Sequence, residues 1–494
     1  MQQTSKVRLI DDALESGLNS AFAASNKLVL MNVDTLASLI LCVMKCVATS
    51  SEARLVLSDG TIVPVRPSPD WQGQLNLLGR TVDLEAAYKQ VAAGPDQSWA
   101  RVIVVYHPES NGPKFFMTTA LMFGATSSVF SFNRLSKSLW HIACHFMSFW
   151  GTVYFDDFPC LEPAETQVVG QKAFEGLLEA LGWQFDAAGP KATSFDRSFE
   201  VLGIVVDLNR SNFGKVTLRN KASRVDKISR IVEDTFQCGK VHPGLAASLH
   251  GQLNFMQGFF AGNNMKPPMA ILSDVANKGW SPHHHEQWAI ASIYVLAVLS
   301  NAVPRSLDVG DERPPVLVFS DGAWEPSSAS PAGAGLVVID PVAKQAVVHE
   351  VRVAPDLINL WLSLGKKQLI AELELLPVLV GLSEYADKWP QRNFFWFVDN
   401  NSIRDVLIKC STSKPQLLSM VVEVNLIASK HQLLLWFSRV PSKSNVADYP
   451  SRKDCHKAAS LLEGTVGRPL ALSPEHLQLC LGSATFIDLM QQRR

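Results

Sequence analysis

No pattern of cysteines organises this chain. The eight cysteines, Cys42, Cys46, Cys144, Cys160, Cys238, Cys410, Cys455 and Cys480, form no Cys-x-x-Cys pair and no repeated spacing. That leaves no basis for a zinc ribbon or a disulfide framework, and buried free thiols in a reducing compartment are the expectation. Charge of one sign is equally lacking: 45 Lys and Arg stand against 46 Asp and Glu, so bulk electrostatics announce neither a nucleic acid nor a membrane partner. The apolar run Trp288–Val303 is shorter than the ~20 residues a bilayer span needs and reads as a buried helix. The start, Met1-Gln2-Gln3-Thr4-Ser5-Lys6, has no signal-peptide pattern. An intracellular protein, cytoplasmic or nuclear, is expected. Internal repeats and low-complexity segments are missing too. What remains is 494 residues, 47% hydrophobic, enough for about three domains with real cores.

Within this background, carboxylates stand out. The run Gly151-Thr152-Val153-Tyr154-Phe155 ends in Asp156-Asp157, with no countercharge nearby in sequence, and a third aspartate, Asp83, ends another strand-like segment. A pair of aspartates after a β-rich run can be a plain turn, because their side chains bond nearby backbone N–H groups. It can also hold a hard divalent cation, since Mg²⁺ takes carboxylates plus substrate phosphates. The segment predicts a hairpin: strand 151–155, a tight turn at Asp156-Asp157, and Phe158 starting the return. Between Arg210 and Arg230, seven basic residues face the single Asp226. Arg219, Lys221, Arg224 and Lys227 in this stretch are either a solvated helix face or a footprint for phosphate backbones. His283-His284-His285 is either a metal-binding run or a polar cap before a helix from Gln287.

The downstream half has its own order. Strands are predicted at Val316–Ser320, Gly335–Ile339 and Gln345–Val353, then a helix over Lys366–Lys388, a strand at Asn393–Val398, two helices, and a strand at Leu433–Val440. Asp321 and Asp399 end strands, and Asp448 closes the loop that follows the last one. Glu372 and Glu374 both lie in the long helix, about 200° apart, so they cannot share one site.

These motifs resemble a reverse transcriptase followed by a ribonuclease H, most similar to the Pol protein of DIRS-type retrotransposons. Thr81–Gln90 resembles the first palm motif, with Tyr88 five residues after Asp83. Leu121–Ser128 resembles the second, with Phe123-Gly124 opening a helix. Tyr154-Phe155-Asp156-Asp157 resembles the Tyr-x-Asp-Asp box. Pro190-Lys191 resembles the fourth motif, and Phe199–Ile204 the fifth. Arg8 and Asp12 resemble a fingers segment. The resemblance implies an α+β and α/β multidomain chain, a right-hand polymerase followed by a ribonuclease H-like domain. Its parts would be partial fingers at 1–75, palm at 76–209, thumb and connection at 210–300, a linker at 301–315, the ribonuclease H-like domain at 316–455, and a tail at 456–494. The start inside the fingers implies a fragment of a longer polyprotein, or a truncated copy.

The implied activities are RNA-directed DNA synthesis and cleavage of the RNA strand of a hybrid. Two Mg²⁺ (or Mn²⁺) ions would be held by Asp83, Asp156 and Asp157, and two by Asp321, Glu374, Asp399 and Asp448. Glu374 is preferred to Glu372 because Glu-Leu-Leu-Pro-Val-Leu matches the family helix. Arg8 would reach the triphosphate and Lys191 the leaving group. Tyr88 would stack under the sugar, although a core tyrosine is the alternative. The implied partners are an RNA template, a DNA primer, an RNA–DNA hybrid and deoxynucleoside triphosphates. An inactive or domesticated nucleic-acid-binding remnant is the alternative function. Many ribonucleases H carry a histidine in the loop before the last aspartate; here Ser438–Ala447 has none.

Overall fold

A computed structural model describes residues 12–481, leaving aside 49–52, 57–59, 66–74, 189–191, 261–263, 301–302, 310–312, 329 and 413. The chain divides into two compact units, Met1–Thr217 with Leu307–Gly310, and Leu218–Ser306 with Asp311–Arg494. Both mix helices and strands. Among the described residues, no helix is long and apolar enough to cross a membrane.

In the first unit, helix α1 (Val33–Ala48) precedes strand β1 (Leu77–Asp83), the hairpin β2 (Val102–His107) and β3 (Gly112–Met117), and helix α2 (Thr126–Met147). Strand β4 (Asp157–Pro163), helix α3 (Gln167–Ala180) and a hairpin of β5 (Ser198–Val201) and β6 (Ile204–Asp207) follow. β1 and β4 pair antiparallel, with Asp83 opposite Asp157. Apolar side chains on one face of this pair, Val82 and Phe158, meet Phe132 and Leu139 of α2 and Phe174 and Leu178 of α3 in a single core. The turn before β4 sits one residue earlier than expected. Tyr154 and Asp157 exchange both backbone hydrogen bonds, at 2.9 and 3.0 Å, and Phe155 takes φ 55°. The two turn residues are therefore Phe155 and Asp156, and Asp157 already belongs to the return strand.

The second unit combines a helical bundle with a mixed sheet. The bundle is α4 (Ala222–Cys238), α5 (Pro243–Gln257), α6 (Lys266–Lys278) and α7 (His283–Ser300). α7 starts at His283, not at Gln287, and its residues from Ile290 to Leu299 are all buried. The sheet follows: β7 (Val316–Trp324), β8 (Ala332–Asp340), β9 (Gln345–Arg352), then helices α8 (Pro355–Ser363) and α9 (Ile370–Tyr385), strand β10 (Asn393–Val398), helices α10 (Asn401–Lys409) and α11 (Pro415–Lys430), and strand β11 (Leu434–Arg439). Strand order is β11-β10-β7-β8-β9. β7 is antiparallel to β8 and parallel to β10, and β11 is parallel to β10.

α9 is apolar on nearly every side and buried from Glu372 to Leu382, as a helix enclosed on all faces should be. It packs on the sheet beneath α11 in the largest core cluster. The sheet does not stop at the boundary expected at 455. After α12 (Asp448–Ser451) and α13 (Cys455–Leu461), the short strands β12 (Thr465–Val466) and β13 (Leu470–Ala471) add to the outer edge of β9, and α14 (Pro474–Leu481) follows. The expected linker holds a short strand, Arg305–Asp308. α11 also joins the bundle: Leu418 and Val422 lie in the same buried cluster as Leu249, Leu272 and Trp288.

Candidate active site

The C-terminal ends of two neighbouring parallel strands place the first two carboxylates. Asp321 lies in β7 beyond the stretch that pairs with β10, and Asp399 is the first residue after β10. The strand stops there because Asn400 caps α10, its Oδ1 accepting from Ser402 N at 3.0 Å and Ile403 N at 3.3 Å. Glu374 arrives from α9. A Cβ at Gly322 would lie 2.5 Å from Leu373 C and 2.6 Å from Glu374 N. Only glycine lets the helix backbone approach the strand this closely. Asp321, Glu374 and Asp399 consequently bring one carboxylate oxygen each within 4.8 Å of one another. Glu372 points elsewhere and is buried against Lys366.

Asp448, at the start of α12, is half exposed. Its Oδ1 accepts from Arg452 Nε at 3.0 Å, and Arg452 Nη1 donates to Glu325 at 2.7 Å. It stands outside the three-carboxylate group yet close enough for its charge to act on Asp321. α12 is seated by two more glycines: Cβ atoms at Gly333 and Gly335 of β8 would fall 2.0 Å from Ser451 O and 2.5 Å from Ser451 N. This close seat brings in two residues that the motifs did not single out. Ser451 Oγ donates to Asp321 Oδ2 at 2.6 Å, and Asn445 Nδ2 donates to Ser320 O at 3.1 Å and to Asp321 Oδ1 at 3.4 Å. The alternation Ala332-Gly333-Ala334-Gly335 was the sequence signal for a close helix approach, since glycine inside a strand marks such contacts.

Electrostatically the cluster is unfinished. Burial pushes Asp321 up to about 7, with the charges of Asp399 and Asp448 adding to the rise and the Ser451 hydroxyl opposing it. Burial, then the charges of Asp321 and Asp399, push Glu374 up to about 10. Glu374 Oε2 is buried without a hydrogen-bond partner in the protein. Buried carboxylates that repel one another, one with an orphaned oxygen, fit a divalent cation with hard oxygen ligands. Asp321, Glu374 and Asp399 are the residues that would hold it, with Asp448 beside them.

The first unit is less closed. Asp83 and Asp157 face each other across β1 and β4, and Leu84 N donates to Asp156 O at 3.1 Å. The backbones of all three aspartates therefore meet at one sheet end. Among the described residues, however, Asp83, Asp156 and Asp157 do not form a group with all ligand atoms within 4.8 Å. Tyr88 is buried in the core, stacked on Phe132 with centroids 4.7 Å apart and tilted against Phe123 at 4.7 Å. Burial, then the charge of Asp156, raises its hydroxyl pKa. That position suits the core-tyrosine alternative. Gly124, at φ 99°, turns the chain into α2, whose first N–H groups are met by a distant cap: Asn19 Oδ1 accepts from Thr126 N at 2.8 Å while Asn19 Nδ2 donates to Gly124 O at 3.0 Å. Arg8 and Lys191 lie outside the described residues.

The basic stretch lies at the start of the bundle. Arg219 and Lys227 are exposed, Lys221 is the residue before α4, and Arg224 lies over the Phe255 ring at 4.4 Å. Ile228, Val232 and Thr235 form the buried face of that helix, while Arg219 belongs to the strand Lys215–Asn220 that leads into it.

No protein-family model and no curated protein matches the chain. Solved structures do. The N-terminal RNase H domain of Rv2228c from Mycobacterium tuberculosis, solved as a fusion with maltose binding protein, is 17% identical, covering 30% of this chain and 96% of that one, with a TM-score of 0.21. RNase H1 from the halophilic archaeon Halobacterium salinarum NRC-1 is 16% identical, covering 29% of this chain and 98% of that one, also with a TM-score of 0.21.

Proposed function

We propose that the carboxylate cluster of the second unit cleaves the RNA strand of RNA–DNA hybrids. The observation that carries this reading is the convergence of Asp321, Glu374 and Asp399 with an unpartnered, buried Glu374 oxygen. A divalent metal, when bound, supplies a Lewis acid for the scissile phosphate and a water of lowered pKa. The protein's own residues do the rest. Ser451 and Asn445 hold the two oxygens of Asp321 in place, the Gly322 contact sets the depth of Glu374, and the Asn400 cap fixes Asp399. Asp448 and Arg452 form a charged rim above them. A hybrid presents 2′-hydroxyls in a wide minor groove, which gives such a site a means of telling RNA from DNA.

A second activity, RNA-directed DNA synthesis, is favoured by the register that sets Asp83 opposite Asp157 beside the Asp156 turn. On this reading residues 76–209 are a palm whose carboxylates close when metal and nucleotide arrive. The basic stretch leading into α4 would hold the duplex through Arg219, Lys221, Arg224 and Lys227. The chain would then be a retrotransposon polymerase with its hybrid nuclease.

Both activities are measured with the full chain in Mg²⁺: release of labelled RNA from a hybrid, and extension of a DNA primer on an RNA template. Asp399→Asn should abolish the first and spare the second, and Asp156→Asn should do the reverse. Hybrid binding without cleavage in the unmutated chain would favour the nucleic-acid-binding remnant instead.

A further inference from the structure

Among the described residues, one other group of side chains could hold a metal ion: Asp274, His283 and His284. It lies in the bundle of the second unit, where the last turn of α6 meets the first turn of α7. Asp274 divides its carboxylate. Oδ1 is held by Lys278 Nζ at 2.7 Å, while Oδ2 lies 2.9 Å from His284 Nε2 and 3.9 Å from His283 Nε2. In a tetrahedral site with metal–ligand bonds near 2.0–2.1 Å, ligand atoms stand about 3.3 Å apart. The two observed separations bracket that spacing.

The opposite sides of the two rings share one group. Ser281 Oγ lies 2.6 Å from His283 Nδ1 and 2.9 Å from His284 Nδ1. Histidines that ligate a metal usually give their other ring N–H to an oxygen, which fixes the ring and the tautomer, and a hydroxyl oxygen has two lone pairs for the purpose. The third histidine of the run is committed elsewhere, with His285 Nδ1 3.0 Å from Gly239 O.

We propose that Asp274, His283 and His284 bind a single late first-row divalent ion of the zinc class, with a fourth position open to solvent on the exposed side of His283. Two imidazoles and one carboxylate suit that class rather than Mg²⁺. Without metal, Ser281 N donates to His284 Nδ1 at 3.1 Å, so the ring proton of neutral His284 sits on Nε2, toward Asp274. Loading moves that proton to Nδ1, where Ser281 Oγ accepts it and the hydrogen bond from Ser281 N to Nδ1 is broken, with no net change in protons at this residue. The ion would rivet α6 to α7, far in sequence from every carboxylate assigned to chemistry.

The test uses the full chain stripped of metal and then titrated with Zn²⁺ against a competing chelator. Excess Mg²⁺ is present throughout to occupy the carboxylate cluster. Co²⁺ in place of Zn²⁺ reports geometry by its visible absorption. His283 is 64% exposed, so His283→Ala should leave the fold intact, which an unchanged Tm without metal checks. Wild type and Asp399→Asn should bind one Zn²⁺ with equal affinity and give a tetrahedral Co²⁺ spectrum. His283→Ala should weaken binding by about tenfold or more, and Asp274→Asn likewise. Ser281→Ala should weaken binding while keeping the spectrum. Wild-type affinity in His283→Ala and Asp274→Asn, or loss of the tight ion in Asp399→Asn, would overturn the assignment.

Discussion

Asp321 and Glu374 are both held above their ordinary carboxylate values, so the folded protein binds their protons more readily than the unfolded chain does. Their contribution to metal-free stability is complete below the usual carboxylate range. It is lost as pH rises, between 3.8 and about 7 for Asp321 and between 4.5 and about 10 for Glu374. The metal-free Tm should therefore fall from about pH 5 to about pH 9, and Mg²⁺ should oppose the fall. Asp399→Asn, which removes one repelling charge, should flatten this slope and raise Tm at the alkaline end while eliminating cleavage; an unchanged slope would mean the carboxylates do not sense one another. Ser451 makes a separate case. Its hydroxyl touches Asp321 without belonging to the cluster, and removing such a support costs about ten- to a hundredfold in activity or metal affinity. Ser451→Ala should show that loss, and Ser451→Thr should recover most of it. Equal cleavage by wild type and Ser451→Ala would reduce the serine to a helix contact.

Elements set these residues in place by approaching closely. The Gly322 contact lets α9 lie directly on β7, and Gly322→Ala would force Leu373 and Glu374 outward. Overpacking of this kind costs about 1–3 kcal/mol, measurable as a lower urea midpoint, and it should reduce cleavage beyond what the stability loss explains. A variant with full cleavage would mean that the depth of Glu374 is not critical. In the strand and helix start around α4, neutralising Arg219, Lys221, Arg224 and Lys227 should lower the salt slope of duplex binding by about 0.9 for each phosphate no longer neutralised. The same slope in the variant would identify a solvated face. Strands such as Val316–Trp324 and Asn393–Val398 were legible in sequence because their β-branched and aromatic runs end in polar residues. Asp321, Glu374 and Asp399 were legible for the same reason, or from the helix motif. Ser451, Asn445 and Gly322 were not, because their partners lie 51 or more positions away in the chain and no local period marks them. α7 starts at His283 rather than at the expected Gln287, because Ser281-Pro282 is a helix-start signal and the three histidines form its first turn.

At the scale of the molecule, the bundle and the sheet of the second unit are not separate bodies. α11 is apolar on two sides, sending Leu417 and Val421 toward α9 and Leu418 and Val422 into the bundle. Asn264 Nδ2 donates to Ser429 Oγ at 2.7 Å, and Lys266 Nζ to Ile408 O at 3.1 Å, across the same junction. Composition alone suggested a division at the Pro- and Gly-containing stretch 301–315, because a helix with two apolar sides looks in sequence like any buried helix. A fragment of residues 311–494 should therefore unfold at lower denaturant than one of residues 218–494, and should expose apolar surface to a hydrophobic dye. Equal midpoints would restore the boundary at the linker.

The hydrogen bond from Ser451 to Asp321 spans 130 residues. Translation delivers the chain from its N-terminus at about 5–20 residues per second, and pairings this distant are slow to close. On the ribosome, β7 and β8 can meet early, followed by α9 and β10, which bring Glu374 and Asp399 to a still unsupported Asp321. The supporting serine, the asparagine and the rim aspartate leave the exit tunnel last. A nascent chain still bound to its own messenger is thus without the complete carboxylate site, and under the proposed function hybrid cleavage would begin only after synthesis has passed α12.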